Sequence, residues 1–235
     1  MARARWRDLA PPNEPELRLL PFLVAPGATV IDVGANTGSY IAPLLRMGCK
    51  ITAFEPNPRI AGGLELMYGS KIRIVRAAAS DVEGKTTFRV PRDTSLGGLG
   101  TIEPQNALGT RDTEAFEVQT VTIDSFGFAG VGLMKIDVEG HELSVLRGAE
   151  QLLKTQRPRL IIESENRHRQ GAVEALFSYL GGLGYQGFMI DDGLLSSIQA
   201  FDAAVHQNVA ALSIDALDQG AIRSGYVNNF VFVPT

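Results

Sequence analysis

Three features of the sequence predict an α/β fold, a parallel sheet with helices covering it. Strand-like and helix-like patterns alternate at short intervals over residues 30–75 and again over residues 131–180, the rhythm of parallel strands joined by crossover helices. The first strand runs directly into a glycine loop and then a helix, Val30-Ile-Asp-Val-Gly-Ala-Asn-Thr-Gly38. A chain of 235 residues with 45% hydrophobic composition also buries a full core without disulfide staples.

Element by element, Val30, Ile31 and Val33 form the first strand. Tyr40, Ile41, Leu44 and Leu45 recur at helical spacing and close at Gly48. Residues 51–54 are the second strand, Ile60, Leu64 and Met67 mark the next helix, and Ile72, Ile74 and Val75 give a third strand. Residues 86–90 and 116–123 alternate like strands. Between them lies an insertion over 93–115, rich in Gly, Ser and Thr. A loop of that length suits a lid or binding loop, a plain surface excursion being the alternative. The βα rhythm resumes with a buried strand over 131–138, after which Val145, Leu146, Ala149, Leu152 and Leu153 share one helical face. Pro158 breaks that helix before a strand over 160–162. Val173, Leu176, Phe177 and Leu180 mark a helix ending in Gly181-Gly182, Asp192-Gly193 reads as a hairpin turn, and 228–233 is a final alternating strand. No repeat or linker divides the sequence. One domain over 30–235 is expected, preceded over 1–29 by an arm and a short docking helix.

The charge balance, 22 basic against 26 acidic residues, gives no general pull toward nucleic acid or anionic membrane. Arg3, Arg5 and Arg7 before an apolar stretch over 17–25 resemble a secretory leader, but Glu14, Glu16, Pro21 and Pro26 interrupt it. No run of about 18 apolar residues is present, so a soluble protein is expected. A lone Cys49 forms no internal disulfide, which makes a reducing cytoplasm the simplest compartment.

The chemistry gathers at strand ends, where open α/β sheets bind ligands. Gly34 and Gly38 permit a sharp turn and close ligand approach. Their Gly-x-x-x-Gly spacing is neither the dinucleotide fingerprint nor a P-loop. Asp32 at the strand tip would repel a phosphate and attract a cationic amino group. Glu55, in Ala53-Phe-Glu-Pro-Asn-Pro58, follows the glycine loop by roughly 20 residues, a position suited to ribose hydroxyls. A carboxylate at a helix start is its plainer reading. Ala77, Ala78 and Ala79 followed by Ser80 and Asp81 could border an adenine, with Asp81 as acceptor or simply as a turn residue.

The fourth strand ends Met134-Lys-Ile-Asp137-Val-Glu139-Gly140-His141-Glu142. Clustered acids with a histidine are costly unless they bind something. Asp137 and Glu139 would share a side if the strand continued, and His141 is either an acid–base group or a packed helix-start histidine. His168 and His206 read as surface residues. Glu163 and Glu165 end the fifth strand, and with Asp137 they are candidate oxygen ligands for Mg²⁺, although no spacing requires a metal. Zinc is excluded by the scarcity of Cys and clustered His.

The blocks VIDVGANTGSY, AFEPNP, AAASD, TVTIDSF, LMKIDVEGHELSVLRGAEQLL, PRLIIESE and NNFVFVP resemble, in order and from Val30 to the C-terminus, the FkbM-type family of S-adenosylmethionine-dependent methyltransferases. The resemblance implies a Rossmann-like, seven-stranded class I sheet with an antiparallel last strand, which makes Asn228 and Asn229 candidate site residues. It implies S-adenosyl-L-methionine as cofactor and O-methylation of a hydroxyl on a natural product or sugar. Asp32, Gly34, Asn36 and Gly38, flanked by Ala35 and Ser39, would hold the methionine end. Glu55 with Pro56 and Asn57 would hold the ribose, and Ser80 with Asp81 the adenine. Asp137 would orient the cofactor amine or the acceptor, with His141 or a nearby carboxylate such as Glu139 as base. The acceptor is expected to be a small molecule or glycan, not nucleic acid. A nicotinamide-dependent oxidoreductase and a non-catalytic subunit of the same fold are the alternatives.

Overall fold

The computed structural model describes residues 14–92, 99–104, 106, 112–191, 194–208 and 225–235. Its strands are β1 (Thr29–Val33), β2 (Lys50–Phe54), β3 (Arg73–Val75), β4 (Ala78–Ala79), β5 (Gly84–Pro91), β6 (Thr113–Val121), β7 (Val131–Ile136), β8 (Arg159–Glu163), β9 (Tyr185–Asp191), β10 (Leu194–Ser197) and β11 (Asn229–Pro234). Its helices are α1 (Leu20–Leu23), α2 (Ile41–Arg46), α3 (Pro58–Tyr68), α4 (Glu142–Arg147), α5 (Glu150–Thr155), α6 (Ala172–Gly182) and α7 (Ala203–His206).

Eight strands form the main sheet in the order β10-β9-β11-β8-β7-β1-β2-β3. β3, β2, β1, β7 and β8 pair in parallel, and β11 enters antiparallel between β8 and β9. The expected seven strands are therefore present with the last one reversed. The hairpin partner β10 adds an eighth at the edge, pairing antiparallel with β9; the Asp192-Gly193 turn itself lies outside the described residues. β4, β6 and β5 form a separate three-stranded sheet.

Buried on both faces, the parallel strands read as continuous apolar runs, and successive residues feed opposite layers. Ile31, Val33, Met134 and Ile136 join one cluster with Val145, Leu152, Val173 and Leu176 of α4, α5 and α6. Val30 and Leu133 join the other with Ile41, Leu44 and Leu64 of α2 and α3. Leu17, Leu20 and Leu23, from a 3₁₀ turn (Pro15–Leu19) and α1, are buried in that second cluster. Phe88, Val90, Val118 and Ala78 make a small third cluster under the three-stranded sheet.

Two expected elements differ. The strand over 131–138 stops at Ile136, because Glu139 turns left-handed at φ 54° and Gly140 follows at φ 103°. The single helix over 145–153 is two. Gly148 packs so tightly on the Ser80 backbone that a Cβ there would stand 1.9 Å from the Ser80 carbonyl oxygen. The second helix restarts with Asp124 accepting from the Gln151 and Leu152 N–H groups, both at 2.9 Å, which satisfies two otherwise orphaned donors.

Candidate active site at the carboxyl ends of the strands

A cavity of about 540 Å³, open to solvent, lies where β1, β2 and β7 end. Gly34, Asn36, Glu55, Pro56, Asp137 and His141 line its polar side, and Phe54, Phe88, Ile102 and the Ala77–Ala79 run line its apolar side. The parallel strands all point their carboxyl ends here, so residues far apart in sequence arrive together.

The glycine loop is shaped by close approach. Gly34 has φ 74°, and a Cβ on it would stand 1.8 Å from the Asp137 carbonyl oxygen, so any side chain would displace the β7 terminus. The N–H groups of Gly34 and Ala35 both donate to the Phe54 carbonyl, at 2.9 and 3.2 Å. Glu55 completes the tie between loops. Its Oε2 accepts from Asn36 N at 2.9 Å and its Oε1 from Asn57 N at 2.8 Å. Burial pushes Glu55 up to about 7, against the pull of those two backbone donors. A carboxylate has about four lone-pair positions, and these two bonds use two of them. Asn57 caps α3 through its side-chain oxygen, accepting from Arg59 N at 3.0 Å.

Beneath the loop sits a buried cation that sequence reasoning gave no role. Lys135 Nζ donates to the Gly34 carbonyl at 2.7 Å and to Asp137 Oδ2 at 3.3 Å, and lies 3.7 Å from Asp32 Oδ1. Burial alone would lower its pKa, but Asp137, Asp32 and Glu163 outweigh burial and hold the ammonium protonated. The signal available was a lysine inside the otherwise apolar run Gly-Leu-Met-Lys-Ile. Asp32 is fully buried, and burial raises it. Neither of its oxygens has a hydrogen-bond partner among the described residues. The N-terminal segment adds two further acids. Glu16 accepts from the Tyr40 hydroxyl at 2.8 Å and is pushed by burial up to about 7, while Glu14 is hydrogen-bonded to Ser39.

Past β7, Glu139 and Asp137 do not share a side, since the strand has ended. The Glu139 carboxylate instead pairs with His168 Nε2 at 3.0 Å, and its carbonyl accepts from Thr101 Oγ1 at 2.9 Å and Asn106 Nδ2 at 2.6 Å. His168 is therefore buried, not on the surface as expected, and the carboxylates of Glu139 and Glu165 raise its basicity against the effect of burial. His206, also expected outside, is buried and stacked on Phe201 at 5.4 Å. His141 lines the cavity. Its Nε2 is 2.9 Å from Ser80 Oγ, its Nδ1 is 3.5 Å from Glu103 Oε2, and burial lowers its pKa. Ser80 also reaches Asp81 Oδ1 at 3.2 Å, and Asp81 is exposed beside the site. Glu142 caps the same turn, accepting from Gly140 N at 2.7 Å.

The three metal candidates do not converge. Glu165 is held by Arg167 at 2.6 and 2.7 Å and by the Tyr226 hydroxyl. Glu163 accepts from Asn228 Nδ2 at 2.7 Å, and Asp137 is paired with Lys135. Among the described residues no group of three or more His, Cys, Asp or Glu is arranged to hold a metal ion, so these side chains do not fit a divalent cation. Asn228, inferred from the reversed last strand, does reach this strand tip. No helix among the described residues is long and apolar enough to cross a membrane.

A family model described as the methyltransferase FkbM domain matches residues 32–186. The 31-O-demethyl-FK506 methyltransferase FkbM of Streptomyces tacrolimicus is 28% identical over 215 residues, covering 77% of this chain and 82% of that protein. The hexuronic acid methyltransferase AglP of Haloferax volcanii is 27% identical over 128 residues, 53% of this chain and 51% of its own length. The AMB antimetabolite synthetase AmbE of Pseudomonas aeruginosa is 23% identical over 86% of this chain, which spans 12% of it. The chain thus covers about half of AglP and a small part of AmbE. In fold it is similar to the crystal structure of methyltransferase FkbM from Methylobacillus flagellatus, with a TM-score of 0.59 at 17% identity over 98% of this chain and 50% of that one. The matched residues span the glycine loop, Glu55, the cavity wall and the β7 turn, and on that match the chain belongs to the FkbM-type family of S-adenosylmethionine-dependent methyltransferases.

Proposed function

We propose that the chain is an O-methyltransferase that acts on a hydroxyl of a small molecule, natural product or sugar. The observation that carries this reading is the cavity lined by the glycine loop, Glu55, Asp137 and His141, in a chain of this family. S-adenosylmethionine, when bound, supplies a methyl carbon activated by its sulfonium. Glu55 would take the ribose hydroxyls on its two remaining lone-pair positions. Asp32, whose oxygens accept no hydrogen bond among the described residues, and the loop of Gly34, Ala35, Asn36, Gly38 and Ser39 would receive the cationic methionine end. Pro56 and the three alanines would pack the adenine, with Ser80 and Asp81 at its polar edge. Asp137, fixed by Lys135, would orient the acceptor or the amine. His141, kept neutral by burial, would take the acceptor proton. Glu139 is committed to His168 and stands behind His141 as a base.

The names of the relatives suit this acceptor class: one is a demethyl-FK506 O-methyltransferase and another a hexuronic acid methyltransferase. Cys49, buried and unpaired, suits a reducing compartment such as the cytoplasm. The test is methyl transfer from isotopically labelled S-adenosylmethionine to a panel of uronic acids, hydroxylated macrolides and amines. A methyl ether is the expected product. His141→Ala should slow its formation by the roughly 10²–10⁴-fold typical of a lost acid–base group, and Asp137→Ala should abolish it. Labelled product on nitrogen alone, or full turnover in folded Asp137→Ala, would overturn the reading.

A further inference from the structure

The insertion over 93–115 places part of its backbone on the β7 turn and brings a carboxylate to His141. Thr101 and Arg89 exchange backbone hydrogen bonds at 2.9 Å each way. Arg89 Nη2 donates to the Glu103 carbonyl at 2.7 Å, and Thr101 and Asn106 both donate to the Glu139 carbonyl. Residues on both sides of Glu103 are thereby fixed, and Thr101 and Asn106 are almost fully buried. Glu103 Oε2 then lies 3.5 Å from His141 Nδ1, opposite Ser80 Oγ at 2.9 Å from Nε2.

Donor and acceptor rules decide the arrangement of protons. A carboxylate only accepts, so the nitrogen facing Glu103 carries the ring hydrogen, and Nε2 keeps its lone pair and accepts from Ser80. Ser80 has a second acceptor in Asp81 Oδ1, 3.2 Å away. When Ser80 passes its hydrogen to Nε2 and takes another in its place, the new hydrogen can point to Asp81 while Oγ accepts from Nε2–H, with no heavy atom moving. Ser80 therefore satisfies Nε2 before and after proton transfer.

We propose that Glu103 is a positioning residue for methyl transfer, fixing His141 as the Nδ1–H tautomer so that Nε2 is the basic nitrogen. This rests on the reading of His141 as the group that takes the acceptor's proton. In the step, the acceptor oxygen forms a bond to the methyl carbon and the sulfur–methyl bond breaks with its electron pair left on sulfur. The hydroxyl proton passes to Ser80 Oγ as the Ser80 hydrogen passes to Nε2. The resulting imidazolium faces the Glu103 carboxylate, and the other charged groups that act on the ring are Asp81, which favours its charge, and Arg169, which opposes it.

The test is imidazole ¹⁵N NMR on the full chain, which has three histidines. The His141 signal is assigned by its loss in His141→Gln, and spectra are recorded across pH with and without S-adenosylhomocysteine. The expected wild-type spectrum shows His141 with its hydrogen on Nδ1. Glu103→Gln should move the His141 titration to lower pH, because the countercharge is gone. Ser80→Ala should leave the Nδ1–H tautomer in place. An Nε2–H tautomer assigned to His141 in the wild type overturns the proposal whether or not Glu103→Gln folds. So does a folded Glu103→Gln protein whose His141 titrates as in the wild type. An Nδ1–H tautomer in a protein that fails to bind S-adenosylhomocysteine would support the Glu103–His141 pair and count against methyl transfer, so the two readings fail separately.

Discussion

Replacing Glu55 by glutamine tests the tie between the two loops that border the cavity at nearly constant volume. Each Glu55 oxygen accepts one backbone N–H, from Asn36 and from Asn57. Whichever way a glutamine amide turns, one of those donors faces an NH₂ group and loses its partner. A buried donor left unsatisfied costs about 1–3 kcal/mol. At about 2–4 °C per kcal/mol for a chain of this size, that lowers Tm by about 2–12 °C. The sign of the pH dependence follows from burial, which raises Glu55 from 4.5 to about 7 in the folded protein. Between those values the native state holds a proton that the unfolded state has lost, so wild-type stability falls as pH rises, by roughly 3 kcal/mol in all. Glutamine does not titrate. The deficit of Glu55→Gln should therefore be full below pH 4.5, shrink as pH rises from 4.5 through about 7, and stay small above that, as read by chemical denaturation.

Affinity should move the other way. On the proposed assignment the ribose hydroxyls donate to the ionised Glu55 carboxylate, so wild-type affinity for S-adenosylhomocysteine should climb as pH rises through about 7, whereas Glu55→Gln should be flat. A lost charge-assisted hydrogen bond is worth about 1.5–3 kcal/mol, or roughly 10–150-fold weaker binding at pH 8 by calorimetry. A folded Glu55→Gln protein with wild-type affinity at pH 8 would refute the assignment of Glu55 to the ribose.

Other perturbations probe the same wall. Gly34→Ala puts a Cβ 1.8 Å from the Asp137 carbonyl oxygen at φ 74°. The left-handed backbone alone costs about 1–2 kcal/mol, so the loss in urea denaturation should exceed that; wild-type stability would contradict the close approach. Lys135→Met leaves Asp32 and Asp137 buried without their cation, a loss of about 3–5 kcal/mol near neutral pH. Part of it should return on acidification as those carboxyls protonate, and an equal loss at pH 5 and pH 8 would argue against an electrostatic role. Thr101→Val with Asn106→Ala strips both side-chain donors from the Glu139 carbonyl. Hydrogen exchange at 99–104 and at Asn106 should rise well above wild type, and unchanged protection would show that these residues are held by backbone pairing alone.

The local patterns were legible because their physics is local. A β-branched strand that stops at a glycine reads as a βα turn, and an acid roughly 20 residues on reads as the next strand tip; both stand at the cavity. The reversed last strand came from resemblance, and with it Asn228 reached Glu163. What stayed hidden depends on pairings between distant segments. Lys135 and the Gly34 carbonyl are 101 residues apart, and only the β1–β7 register makes them neighbours. His168 read as a surface residue because its partners, Asn106, Glu139 and Glu165, come from three separate segments. Glu103 lies in a stretch without periodicity, where no pattern points to a facing histidine. The shared side assigned to Asp137 and Glu139 assumed that β7 ran on; a left-handed residue at Glu139 ended it.

The most direct measurement of the central claim is calorimetric titration of the full chain with S-adenosylhomocysteine and, separately, with NAD. The cavity between the glycine loop and Glu55 should take one S-adenosylhomocysteine per chain, with affinity lost in Glu55→Gln at pH 8, and give no heat with NAD beyond dilution. Saturable NAD binding without S-adenosylhomocysteine binding would contradict it.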